Sequence, residues 1–149
     1  MARESPSDRN LRLLAAAVGV TLTLIGIRFL FWPSAAGRTF GLSVQDLNPA
    51  AYAVIGLRDI WLGTMVAAFA WYRLWFAIAI WFAFATLVCF ADAGIVAATT
   101  ARPLPLAFHL ASGVLCAGLA VAAFSRHRCS PQTGPGSRQG GDRNGQPDQ

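Results

Sequence analysis

Residues 74–99 read LWFAIAIWFAFATLVCFADAGIVAAT, an almost unbroken apolar run whose one charged side chain is Asp92. About twenty helical residues at 1.5 Å per residue cross a ~30 Å hydrocarbon core, so this stretch is long enough to span a bilayer. Three runs of the same kind accompany it. Leu11–Trp32 is broken only by Arg12, two threonines and Arg28. Ala50–Trp71 is interrupted by Arg58 and Asp59, and Leu106–Phe124 contains His109.

The chain has 149 residues, 55% of them hydrophobic and 13% charged. Ordinary soluble domains carry roughly 25% charged residues. A soluble core cannot hide so much apolar surface, whereas lipid accepts it. The expected fold is therefore all-α, a four-helix transmembrane bundle with both termini on the same side. Helices are predicted over about 11–32, 50–71, 74–99 and 104–124, after a polar N-terminal tail at 1–10. Beyond Phe124 a Gly/Pro/Gln/Ser-rich segment, 125–149, lacks the apolar residues to offset its ordering entropy and is expected to be a disordered tail. Pro33–Pro49 reads as a loop, its middle from Thr39 to Val44 touching the interface through Phe40 and Leu42. A cleaved signal peptide is the rival reading of the first run, because Ser34-Ala35-Ala36 resembles a cleavage site. Signal peptides have an apolar region of only about 7–15 residues, which favours a retained helix.

The net charge is +5, and the twelve basic residues are all arginine. They punctuate the apolar runs instead of forming the concentrated stripe that nucleic acid requires, so nucleic-acid binding is excluded. Near the helix ends, Arg3, Arg9, Arg12, Arg73, Arg126 and Arg128 fall on the side of the termini, and Arg38 and Arg102 on the other. The positive-inside rule then puts both termini in the cytoplasm, with the chain in the inner or plasma membrane. Trp71, Tyr72 and Trp75 around Arg73, and Phe31-Trp32 before Pro33, fit interfacial aromatic belts. Cys89, Cys116 and Cys129 show no paired spacing and no Cys/His ligand pattern, so neither a disulfide framework nor a zinc site is expected. No metal and no cofactor is implied, and no nucleotide-binding or hydrolase motif occurs.

Ionisable residues inside spanning segments are costly, and they usually face the bundle interior and find partners. The runs hold five: Arg28, Arg58, Asp59, Asp92 and His109. From the helix rise they lie roughly 7 Å (Arg28), 12–14 Å (Arg58, Asp59), 12 Å (Asp92) and 9 Å (His109) from their helix ends. Because the helices alternate in direction, those ends share one side of the membrane. All five groups therefore occupy one slab, away from the termini. Gly56, Asp59 and Gly63 share a helix face, and small residues there allow close helix packing. His109, Ser112 and Cys116 share a face of the fourth helix. Arg58 is about 100° around the helix from Asp59, which argues against a single partner between them. In the expected arrangement, Asp59 and Asp92 accept from Arg58, Arg28 and His109.

Two readings of this cluster stay open. It fixes the register of the helices, or it lines a pocket for a lipophilic or amphipathic small molecule. In the second case Asp59, Asp92 and His109 are the candidate catalytic groups, His109 being the natural proton carrier near neutral pH. Three roles follow: a ligand-binding membrane protein; a membrane-embedded enzyme, either a cofactor-independent isomerase or cyclase or a quinone-linked redox subunit; or an accessory subunit with a membrane-protein partner. Trp61 and Trp81 read as lipid-facing or packing residues.

The stretch Gly56-Leu-Arg58-Asp59-Ile-Trp-Leu62-Gly63 resembles the G-x-R-D-x-x-L-G motif of a family of small four-helix membrane proteins of bacteria and fungi, of unknown function. Asp92 and His109 stand where that family has an Asp near the end of its third helix and a His near the start of its fourth. Gly26-Ile-Arg28, Pro33 and Phe40-Gly41 are similar to its first helix and loop, so the resemblance spans roughly residues 11–124. Ile55 departs from the basic residue that many members place before the motif, which argues against an anion pocket. In outline the family is distantly similar to the DoxX-like group, some of whose members are linked to quinone or redox systems.

Overall fold

The computed structural model describes residues 5–41, 48–99 and 102–129. Among them are five helices: α1 Pro6–Phe31, α2 Pro33–Phe40, α3 Pro49–Trp71, α4 Trp75–Thr99 and α5 Pro103–Cys129. Four of these, all but α2, are long and apolar enough to cross a membrane. The protein is a multi-pass, four-span helical bundle. Most of residues 125–149 lie outside the described residues, but α5 continues through Arg126 and Arg128 to Cys129, beyond the expected end at Phe124. At the other terminus α1 begins within the expected polar tail, at Pro6.

Proline punctuates the chain. Pro6, Pro33, Pro49 and Pro103 each open a helix, where the missing N–H costs nothing and the fixed φ already suits the helix. Asn48 caps α3, its side chain accepting from the Ala50 N–H at 3.1 Å. The α3–α4 turn needs only three residues, Tyr72 to Leu74. Arg73 adopts φ 58°, and the Leu74 N–H donates to the Phe69 carbonyl at 3.0 Å, closing a Schellman motif with an arginine in the left-handed position.

The segment expected as a loop at Pro33–Pro49 differs: its first half is the helix α2, ended by Gly41 at φ 91°. Phe40 belongs to this helix, while Leu42 and Val44 fall outside the described residues.

α1 packs most closely on α3, and α4 on α5, while the two pairs approach each other less closely. Within the first pair the backbones nearly touch. A Cβ on Gly19 would stand 2.6 Å from the Gly63 carbonyl oxygen, and one on Gly26 would stand 2.5 Å from that of Gly56. The buried stripe of α3 is Tyr52, Gly56, Asp59, Gly63, Val66 and Ala70, alternating steps of four and three, a heptad-like seam.

An apolar core drawn from all four spans, including Ala15, Val66, Ile78, Phe82 and Leu119, closes the end that carries the termini. There Arg126 on α5 meets Asp8 on α1 at 3.1 Å and bonds Ser7, bringing the start of α1 and the end of α5 to one side. At the opposite end a second core of Phe29, Ala36 and Tyr52 joins only α1, α2 and α3. Asp59 and His109 are buried between them.

Candidate functional site

Asp59 is 3% exposed and His109 4%, and no other charged or ionisable polar residue among those described is so deeply buried. Asp59 sits on the α3 seam between Gly56 and Gly63, so the small neighbours bring the α1 backbone close while the carboxylate occupies the remaining space. Its partner is the adjacent residue. The Arg58 Nε donates to Asp59 Oδ1 at 3.1 Å, with Nη2 at the same distance from that oxygen. The expected arrangement counted Asp59 among the acceptors of Arg58. The long arginine side chain curls back around the helix to reach it, which leaves it 45% exposed while the Asp59 side chain is 4% exposed.

Asp92 on α4 lies in the electrostatic field of both Arg58 and His109, and Asp59 in that of Asp92. Arg58, Asp59, Asp92 and His109 are thus linked electrostatically across α3, α4 and α5. Asp92 is half-buried. Arg28 departs from the expected arrangement: its Nη2 donates to the Thr39 hydroxyl on α2 at 3.1 Å, not to an aspartate. It ties α1 to α2, near the surface.

α2 covers the site. The Phe40 carbonyl lies 3.3 Å from His109 Nε2, and its ring meets the imidazole edge-on at 4.4 Å between centroids. A carbonyl only accepts, so His109 carries its proton on Nε2 in this contact, and in the neutral ring Nδ1 keeps a lone pair. Phe29 packs against both Phe40 and Tyr52, with centroids at 5.7 and 6.2 Å. Gly37 accommodates the Tyr52 ring, and Gly41 fits against Pro105 and Val96, so the short helix touches α1, α3, α4 and α5.

Tyr52 lies beyond Phe29, in the second core. It lies two turns before Asp59 on the same seam, and its buried hydroxyl has no hydrogen-bond partner among the described residues. Its place in an apolar run hid it. Cys116 lies two turns beyond His109 on α5, buried in the core against which Cys89 of α4 packs. Ser112 shares that side of α5, half-buried. Trp61 points outward, and Trp81 is half-buried against the core. No group of three metal-ligating side chains occurs among the described residues.

The arrangement offers one cation, two carboxylates and an imidazole in a slab otherwise lined by apolar and small side chains. Such a set can hold the polar end of an amphipathic molecule, or pass a proton between Asp92 and His109. A family model described as "Domain of unknown function (DUF4267)" matches residues 19–123. No curated protein and no solved structure matches the chain.

Proposed function

The chain belongs to this domain family of unknown function, and from that premise we propose that its Arg58/Asp59/Asp92/His109 cluster binds the polar end of a lipophilic small molecule within the membrane. The observation that carries the reading is the incomplete satisfaction of the site. The Arg58 side chain spends itself on one oxygen of Asp59 and stays 45% exposed, Asp92 feels Arg58 and His109 only through their electrostatic field, and the buried Tyr52 hydroxyl of the adjoining core lacks a hydrogen-bond partner among the described residues. A cluster that served only to fasten helices would be expected to satisfy its own polar groups, because unpaired ones are costly in a low-dielectric interior. A ligand carrying both a donor and an acceptor would complete it. With Ile55 before the motif, a neutral polar group fits better than an anion.

The arginine distribution supports a plasma-membrane or inner-membrane location with both termini cytoplasmic, and on that reading the site lies in the outer half of the bilayer, beneath α2. Native mass spectrometry of protein released from membranes in mild detergent tests the binding reading. A small molecule should be retained by the parent and absent from Asp59→Asn. Equal retention by both, or none by either, rejects it.

A second reading has its own support. His109 presents Nδ1 as a base while its Nε2–H is anchored on Phe40, and Asp92 stands in its field. That is the pairing an intramembrane isomerase would use for proton transfer. On this reading His109→Ala abolishes turnover of the retained molecule without releasing it.

A further inference from the structure

Cys89 and Cys116 stand 27 residues apart in the chain, with no motif joining them, yet both lie at one level of the α4–α5 contact, in the same core and beside the point where Gly113 meets the Phe90 ring. Neither is in a disulfide; Cys116 is buried and Cys89 half-buried. The antiparallel helices are close there because small residues face the contact, with Gly113 packed against the Phe90 ring. Both sulfurs belong to the apolar core, Cys116 within it and Cys89 against it. An oxidant that reaches them from lipid must itself partition into lipid.

We propose that Cys89 and Cys116 form a reversible disulfide inside the membrane domain, using a lipid-soluble hydroperoxide as the two-electron oxidant. One thiol attacks the peroxide, breaking the O–O bond and releasing an alcohol, and becomes a sulfenic acid. The second thiol then displaces water from that sulfur to form the S–S bond. In total two thiols and one hydroperoxide give one disulfide, one alcohol and one water. The sulfurs lose two electrons and the peroxide gains them. Asp92, three residues from Cys89 on α4 and in electrostatic contact with it, is placed to take the proton from the attacking thiol. The product ties α4 to α5 just below Asp92 and His109, and a thiol reductant restores the pair.

The test uses the full chain in detergent, treated with cumene hydroperoxide, followed by denaturation, alkylation and peptide mass spectrometry. The expected result is a monomer in which the Cys89 and Cys116 peptides are joined with the loss of two hydrogens. Dithiothreitol should reverse the link, Cys129→Ser should retain it and Cys89→Ser should lack it. A raised melting temperature of the oxidised parent, absent in Cys89→Ser, would show that the link forms in the folded bundle. The proposal is overturned if both thiols remain alkylatable at oxidant levels that consume Cys129, or if Cys116 links only between molecules.

Discussion

Arg58 binds the residue beside it: its guanidinium bends back along α3 to hold Oδ1 of Asp59 at 3.1 Å from both Nε and Nη2. The carboxylate is buried and the cation half-exposed, so the two are not equivalent. Removing the arginine strands a buried charge, whereas neutralising the aspartate frees a side chain that already reaches the surface.

Stability should reflect this asymmetry. Arg58→Ala should lower stability in detergent by about 1–3 kcal/mol, the cost of an unsatisfied buried group. Asp59→Asn should cost less, and the double variant should recover part of the Arg58→Ala loss, because the pair is then removed together. Arg28→Ala loses one exposed hydrogen bond to Thr39 and should cost roughly 0.5–1.5 kcal/mol. Melting curves of the four variants check the order.

The α1–α3 contact should reject side chains at its closest points. A Cβ at Gly63 would lie 2.5 Å from the Gly19 carbonyl oxygen and against the Thr23 hydroxyl, so Gly63→Ala should cost about 1–3 kcal/mol by overpacking. Gly26→Ala, 2.5 Å from the Gly56 oxygen, should behave alike. Gly118→Ala has nothing within 4 Å and should leave stability unchanged or slightly raised. Thermal denaturation of the three variants separates these outcomes.

Gly41 serves as hinge and spacer. Its φ of 91° suits glycine, and a Cβ would lie 2.9 Å from Pro105 Cβ. Gly41→Ala should strain the end of α2 and pull Phe40 away from His109. The reactivity of His109 towards diethyl pyrocarbonate should rise several-fold relative to the parent. Phe40→Ala, which removes the ring but keeps the backbone carbonyl, should raise it less.

Topology is tested by reporters fused after Gln149 and within the segment joining α4 to α5. A cytoplasmic reading at the first and an external reading at the second are expected. The reverse pair would invert the membrane placement while leaving the bundle intact.

The four spans were legible because length and hydropathy report burial in lipid directly, and 22–28% of each span's most apolar window is buried in the bundle, the rest facing outward. The packing face was harder to read for the same reason. In a helix apolar all round, the side facing protein is marked by small residues instead of by hydrophobicity. The Tyr52–Gly56–Asp59–Gly63–Val66–Ala70 seam, with its tyrosine, aspartate and two glycines, therefore shows no apolar heptad. Gly56 and Gly63 did give its centre away. α2 carried a readable signal, Pro33 at its start and Gly41 at its end, but its mixed composition read as loop. Depth along the helices placed Arg58, Asp59, Asp92 and His109 in one slab, because alternating direction converts sequence distance into height. It did not give partners. Arg58 curls onto its neighbour and Arg28 turns to Thr39, neither of which follows from helix rise.

The central claim, that the cluster is a binding site, is tested most directly by the melting temperature in detergent of the parent, Asp59→Asn and His109→Ala, each scanned against quinones and a panel of isoprenoid and polyketide lipids. The account predicts at least one compound that raises the melting temperature of the parent and of neither variant. If no compound shifts the parent and both variants are strongly destabilised, the cluster is an internal fastening of the bundle and the binding claim is contradicted.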